Sequence, residues 1–193
     1  MRKLGWILPF AMLLGCSSSL STVNRDILIA PSSRTASACR SVNGEIQIGD
    51  HSETRSVSTV NGSIRIGMDC LVDGNLKSVN GNVICAKRTQ VRCSVETVNG
   101  RIELEGTEVG HDVSTINGEI LLTDVKVVGN IVIGKSNSSG DSSTRKPLVI
   151  TLMNGTVVQG EIKIEDEGQP VEVRKNSNCT VLGGFGRAKI VQL

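Results

Sequence analysis

Tyrosine is absent from this 193-residue chain, which holds one tryptophan and two phenylalanines. That scarcity argues against a compact core anchored on large rings. No stretch of useful length spaces its apolar residues at the helical period, which excludes a helix bundle. Net charge is also lacking. Without residues 1–15, which hold Arg2 and Lys3 and no acid, Lys plus Arg falls to 21−2 = 19 against 19 Asp plus Glu. A neutral chain has no electrostatic footprint for nucleic acid or anionic lipid, so no nucleic-acid partner is expected. The two histidines, His51 and His111, fall at different places in the repeat described next, and C-x-x-C does not occur. Each histidine reads as a solvated turn residue, and no metal or other cofactor is expected.

What the chain does have is one phrase, repeated. Ser41-Val42-Asn43-Gly44-Glu45-Ile46-Gln47-Ile48 returns as Thr59 to Ile66, Ser78 to Cys85, Thr97 to Leu104 and Thr115 to Leu122. The Asn-to-Asn steps are 61−43 = 18, 80−61 = 19, 99−80 = 19 and 117−99 = 18. A degenerate copy begins at Thr22 with Asn24 followed by Arg25. A fixed period of this length marks a repeat architecture.

Counted from each Asn, positions +3 and +5 are apolar (Ile46 and Ile48, Ile64 and Ile66, Val83 and Cys85, Ile102 and Leu104, Ile120 and Leu122). Positions +2 and +4 are mostly polar, so a half-buried strand follows each Asn-Gly. A second apolar set holds Val72, Val91, Val109 and Val128, then Val57, Leu76, Val95, Val113 and Ile131. The Val or Ile at −1 completes about five inward candidates per repeat, read from the strand period.

Asn-Gly between apolar strands is also a hairpin signal. In a two-residue hairpin, −1 faces +2 and −2 faces +3, which would put Val60 and Ile64 on opposite faces. A corner that turns partway keeps both inside. Asn43-Gly44, Asn61-Gly62, Asn80-Gly81, Asn99-Gly100 and Asn117-Gly118 are therefore read as structural corners, with φ > 0 expected there. Coils about 4.8 Å apart would stack these Asn side chains into an amide ladder. The fold class expected is all-β: a single-stranded β-helix, or β-solenoid, with coils of 18–19 residues and a right-handed path.

Residues 1–15 read as a signal segment: Arg2 and Lys3, an apolar run too short to span a bilayer, then Leu14-Gly15-Cys16. This resembles a bacterial lipoprotein signal, which implies lipidation of Cys16. Residues 16–21 form the tether, and 22–193 the solenoid. Ser17 after the Cys is similar to the residue that permits export to the outer membrane. With Cys16 lipidated, Cys39, Cys70, Cys85, Cys93 and Cys179 remain. Five is odd, so at least one has no partner within the chain. Cys85 occupies a core position, and pairing among Cys39, Cys70, Cys93 and Cys179 is open.

The regular coils run to about Gly134. Residues 136–147, rich in Ser, Asn and Gly, read as a loop insertion. Leu148-Val149-Ile150-Thr151-Leu152, Glu161-Ile162-Lys163-Ile164, Val171-Glu172-Val173 and Ala188 to Leu193 then build two or three further coils. Pro31 and Arg25 make the first coil atypical, as a capping repeat should be.

Tandem Ser/Thr-Val-Asn-Gly-x-Ile-x-Ile units resemble the adhesin-like β-solenoid domains of bacterial envelope proteins. The resemblance spans about 22–193 and implies the fold, but no catalytic residues. It implies a non-catalytic structural or interaction surface, lipid-anchored in the cell envelope, with an envelope protein or glycan as partner. Two other readings stay open. One is a polysaccharide-active β-helix enzyme, which needs clustered carboxylates; the mixed outward Ser, Asn, Arg, Gln and Glu do not supply them. The other is a self-assembling scaffold similar to the bactofilins.

Overall fold

The structure is a computed structural model that describes residues 19–136 and 145–193. The signal segment, Cys16 with the first part of the tether, and the middle of the insertion lie outside the described residues. Every regular element described is a β-strand, and every pairing between strands is parallel. Three sheets run the length of the molecule and close a β-solenoid of about nine turns.

The first sheet stacks Leu20–Thr22, Cys39–Ser41, Val57–Thr59, Leu76–Ser78, Val95–Glu96, Val113–Thr115, Ile131–Ile133 and Ile162–Ile164. The second stacks Ile27–Ile29, Ile46–Ile48, Ile64–Ile66, Val83–Cys85, Ile102–Glu105, Ile120–Thr123, Leu148–Met153, Val171–Lys175 and Lys189–Gln192. The third is narrow and built from two-residue strands, Glu53–Thr54 through Thr180–Val181. Each strand pairs with its counterpart one coil away, so Ile46 lies on Ile64, Ile64 on Val83 and Val83 on Ile102. That parallel register rules out the hairpin, which pairs neighbouring strands antiparallel.

The interior is filled by stacked aliphatics. Ile46, Ile64, Val83, Ile102 and Ile120 form one column, with Val57, Leu76, Val95, Val113 and Ile131 opposite; each is at most 1% exposed. Among the described residues Phe185 is the one aromatic of the Phe, Trp and Tyr class, and it packs beside this core at the far end. Aliphatic side chains, mostly β-branched, stack at the strand spacing without rings, which is how a chain so poor in aromatics closes a core.

Two inward assignments are corrected. Val128 is 40% exposed, and its neighbour Val127 is buried in its place, paired with Val109. The −1 residues also turn outward: Val23 is 61% exposed, Val42 40% and Val60 39%. The hydroxyl residues at −2 turn inward instead, with Ser41, Thr59, Ser78, Thr97 and Thr115 all buried. A buried hydroxyl needs a partner. Thr59 Oγ1, Ser78 Oγ and Thr97 Oγ1 each donate to a corner Gly carbonyl one coil back, Gly44, Gly62 and Gly81, at 3.0–3.1 Å. The face test applied to the hairpin therefore rested on a wrong inward residue, and the strand pairing decides the matter.

Candidate interaction surface

Each Asn-Gly pair sits at the bend between a first-sheet and a second-sheet strand, as between Ser41 and Ile46. The Asn side chains form the expected ladder. Nδ2 of Asn43 donates to Oδ1 of Asn24 at 2.7 Å, and Asn61, Asn80, Asn99 and Asn117 continue it at 2.7–2.9 Å. These amides are exposed, so each rung exchanges with water and contributes modestly.

The expected φ > 0 at these corners is not found. None of Gly44, Gly62, Gly81, Gly100 and Gly118, nor the Asn before each, lies in the left-handed region. Glycine is required there by crowding. A Cβ on Gly81 would lie 1.9 Å from the carbonyl oxygen of Gly62, and one on Gly100 1.9 Å from that of Gly81. Backbone packs on backbone, coil upon coil, and only a missing side chain permits it.

Left-handed residues recur instead at the next corner, between the second and third sheets. Ser32, His51, Asp69, Arg88, Gly106 and Asp124 have φ between 51° and 60°. Each lies seven or eight residues after its Asn, as 88−80 = 8 and 106−99 = 7 show. Residue type varies freely along this column, so no motif announces it. The residue just after it is Ser52, Cys70, Thr89 or Thr107, all buried. Ser52 Oγ donates to Ala30 O at 3.2 Å, Cys70 Sγ to Gly49 O at 3.2 Å and Thr89 Oγ1 to Gly67 O at 2.8 Å. Cys70 thus stands in a hydroxyl column. A count of Ser, Thr and Cys at this offset would have exposed the pattern.

Cys39, Cys70, Cys85, Cys93 and Cys179 are all free thiols, and only Cys93 is not buried. Burial pushes the Cys85 thiol well above its ordinary range, with Cys70 adding to the shift. Burial likewise raises Cys39 and Cys70, which keeps all three protonated and unreactive. His51 faces Asp69 at 3.4 Å, while His111 lies in a different corner column. No group of three metal-ligating side chains occurs among the described residues.

Outside, two axial rows stand beside each other. The +4 row runs Gln47, Arg65, Ile84, Glu103, Leu121 and Thr151 in register along the second sheet. The −1 row runs Val23, Val42, Val60, Val79, Val98 and Ile116, joined by backbone bonds such as Asn61 N to Val42 O and Asn80 N to Val60 O, both 2.8 Å. Beside it a shallow groove has Lys77, Glu96, Ser114 and Val132 along one wall and Val98 and Ile116 along the other. Charges elsewhere on the surface pair across coils. Arg65 meets Glu45 at 2.6 Å, Arg88 meets Asp69 at 2.6 Å and Lys126 meets Glu108 at 2.7 Å. The Arg88 bonds hold the Asp69 carboxyl below the usual carboxylate range.

Asp166 anchors the two described ends of the insertion. It is 7% exposed, its Oδ2 accepts from Ser136 N at 3.2 Å and from Arg145 at 3.0 Å, and its Oδ1 accepts from Gly168 N at 3.0 Å. Burial alone would raise its pKa; the Gly168 and Ser136 amides and the Arg145 charge outweigh that and hold it low.

Comparison of the chain with protein families, with curated proteins and with solved structures finds no match.

Proposed function

We propose that this chain is a lipid-anchored cell-envelope protein whose adhesin-like solenoid is a non-catalytic interaction surface. The observation that carries the reading is the outward −1 row. Six successive coils put Val or Ile on the outer side, Val23, Val42 and Val60 exposed and Val79, Val98 and Ile116 half-buried, beside an Asn ladder that fixes their spacing. A sequence free to place Ser or Lys there keeps an aliphatic instead. Contiguous exposed apolar residues rimmed by polar ones mark contact sites. The parallel stack holds them rigid, so little entropy is lost on binding.

The anchor is Cys16, the residue that closes the signal, and the outer membrane is the destination that Ser17 favours. Two or more acyl chains, at about 0.8 kcal/mol per buried CH₂, hold such a chain stably. The partner is an envelope protein or glycan.

Two measurements test this. Cys16→Ser is expected to release the protein from membranes or leave it unprocessed; normal size and retention would overturn the anchor. The full chain in detergent, screened against envelope glycans, peptidoglycan and envelope protein extracts, is expected to bind without cleavage. Binding is expected to fall with Val60→Asp plus Val79→Asp while the fold persists. Cleavage of any polymer that a single Asp or Glu substitution abolishes would replace this reading with a polysaccharide-active enzyme on the same fold.

A further inference from the structure

The −1 row is a ridge. Val23, Val42, Val60, Val79, Val98 and Ile116 follow one another along six coils, and Gly134, next in the column, ends it. Its rungs repeat at the strand spacing, about 4.8 Å. Few occupants have that pitch. On one face of an extended chain, side chains recur about every 6.7 Å. Successive turns of a helix lie about 5.4 Å apart. Either falls out of step with the ridge within a few rungs. A second stack of parallel strands keeps step along the whole length. This chain carries such a stack.

The surface beside the ridge is shaped to receive it. The shallow groove between Lys77, Glu96, Ser114 and Val132 on one side and Val98 and Ile116 on the other repeats at the same pitch. Two copies turned face to face each lay a ridge in the other's groove.

Charge agrees with that pairing. One flank of the ridge is the outward row of the first sheet, with Arg40, Ser58, Lys77, Glu96 and Ser114 on successive coils. The other flank, past the Asn ladder, carries Glu45, Ser63, Asn82, Arg101 and Glu119. A two-fold axis parallel to the solenoid sets each coil beside the same coil of the second copy and exchanges the flanks. Arg40 then faces the second copy's Glu45, and Glu96 faces its Arg101. Ser58 faces Ser63, Lys77 faces Asn82 and Ser114 faces Glu119, so no like charges meet. A slip of one coil would oppose Lys77 to Arg101 and Glu96 to Glu119. Arg40 adds a second sign. It is exposed, its neighbours in register are Ser21 and Ser58, and it has no ion pair among the described residues. Arg65, Lys77, Arg88 and Lys126 each find an acid on an adjacent coil.

We infer that the partner of the −1 row is a second copy of this chain, lying beside the first, parallel and in coil register. The inference rests on the reading above that the row is a contact surface and that Cys16 anchors the chain. Two copies held in one membrane by the same end stand parallel. Sharing a membrane raises their effective concentration, so a narrow contact suffices.

The test is crosslinking of the full chain reconstituted in phospholipid vesicles. A Cys93→Ser background removes the described thiol that is not buried. A short bis-maleimide is added to Val60→Cys, with Val128→Cys as control because Val128 is exposed on a different corner. Val60→Cys is expected to give a covalent dimer, and Val128→Cys none above random collision. Sedimentation in detergent reads the dimer independently of the anchor. There Arg40→Glu is expected to weaken it about tenfold, since the two-fold axis counts each lost pair twice. Adding Glu45→Arg is expected to restore it, which a purely structural role for either residue would not do. No excess of Val60→Cys dimer over the control, or a dimer indifferent to Arg40→Glu, would overturn the inference. So would a Val60→Cys chain that crosslinks to an Ile116→Cys chain but not to itself, because the copies would then be antiparallel. Envelope binding that Val60→Asp weakens, with no dimer, would sink this inference and leave the contact surface standing. Loss of both would remove the surface as well.

Discussion

The two corners that flank each second-sheet strand solve the same turning problem in opposite ways. At the Asn-Gly corner the sequence is constant and the backbone is ordinary; none of the five glycines has positive φ. At the following corner the backbone is held in the left-handed region in seven coils, Asn154-Gly155 included, and Ser, His, Asp, Arg, Asn and Gly all serve. Sequence constancy here reports contact between coils rather than local conformation. The first corner is packed against its copies above and below. The second projects its side chain into solvent and needs only a residue able to bear about 1–2 kcal/mol of strain.

The largest expected effect breaks the first corner. Gly81→Ala sets a Cβ within 1.9 Å of the Gly62 carbonyl oxygen, and neither atom is at the end of a flexible chain. The coils must part, at a cost of about 3 kcal/mol or more. Urea denaturation of the full chain in detergent measures it, with Arg65→Ala as a control expected to shift stability by about 0.5 kcal/mol or less. Equal effects of the two substitutions would remove crowding as the reason for glycine.

Next in size is the hydroxyl that seals the same corner. Thr97→Val keeps volume but leaves the Gly81 carbonyl without the 3.1 Å bond it accepts from Oγ1. A buried acceptor so abandoned costs about 1–2 kcal/mol. The matching change on an outward hydroxyl, Ser114→Ala, is expected to cost far less. Asn80→Ala follows. It removes two rungs of the amide ladder, to Asn61 and Asn99, both 2.8 Å. Water competes for these exposed groups, so about 0.5–1 kcal/mol is expected, read as a drop in melting temperature.

The period, the strands and the two main core columns were legible because parallel stacking forces like onto like: Ile46 on Ile64 on Val83 leaves a regular trace in the chain. The ladder was legible for the same reason. The −1 row was misread because a strand period carried across a bend loses its phase there, so Val60 came out inward and Thr59 outward. Aliphatic character concealed the error, since hydrophobic residues are expected inside. The left-handed corner was not legible at all, because its requirement falls on backbone φ and any solvated side chain satisfies it.

The smallest effect sharpens the comparison from the other side. Asp124 has φ 56°, is exposed, and keeps its N–H bonded to Met153 O at 3.0 Å. Asp124→Gly relieves the left-handed strain but frees the unfolded chain, which costs entropy of similar size. Asp is among the residues that bear this conformation best, so the relief is modest. The two terms nearly cancel, and a change of about 0.5 kcal/mol or less in either direction is expected. Asp124→Val, whose β-branched side chain tolerates this φ poorly, is expected to cost about 1–2 kcal/mol more. At the Asn-Gly corner the order is different: Gly81→Ala already carries most of the penalty, because the first carbon is what collides. Denaturation midpoints of these three variants distinguish a corner governed by conformation from one governed by contact. If Asp124→Gly proved as damaging as Gly81→Ala, the division between the corners would fail.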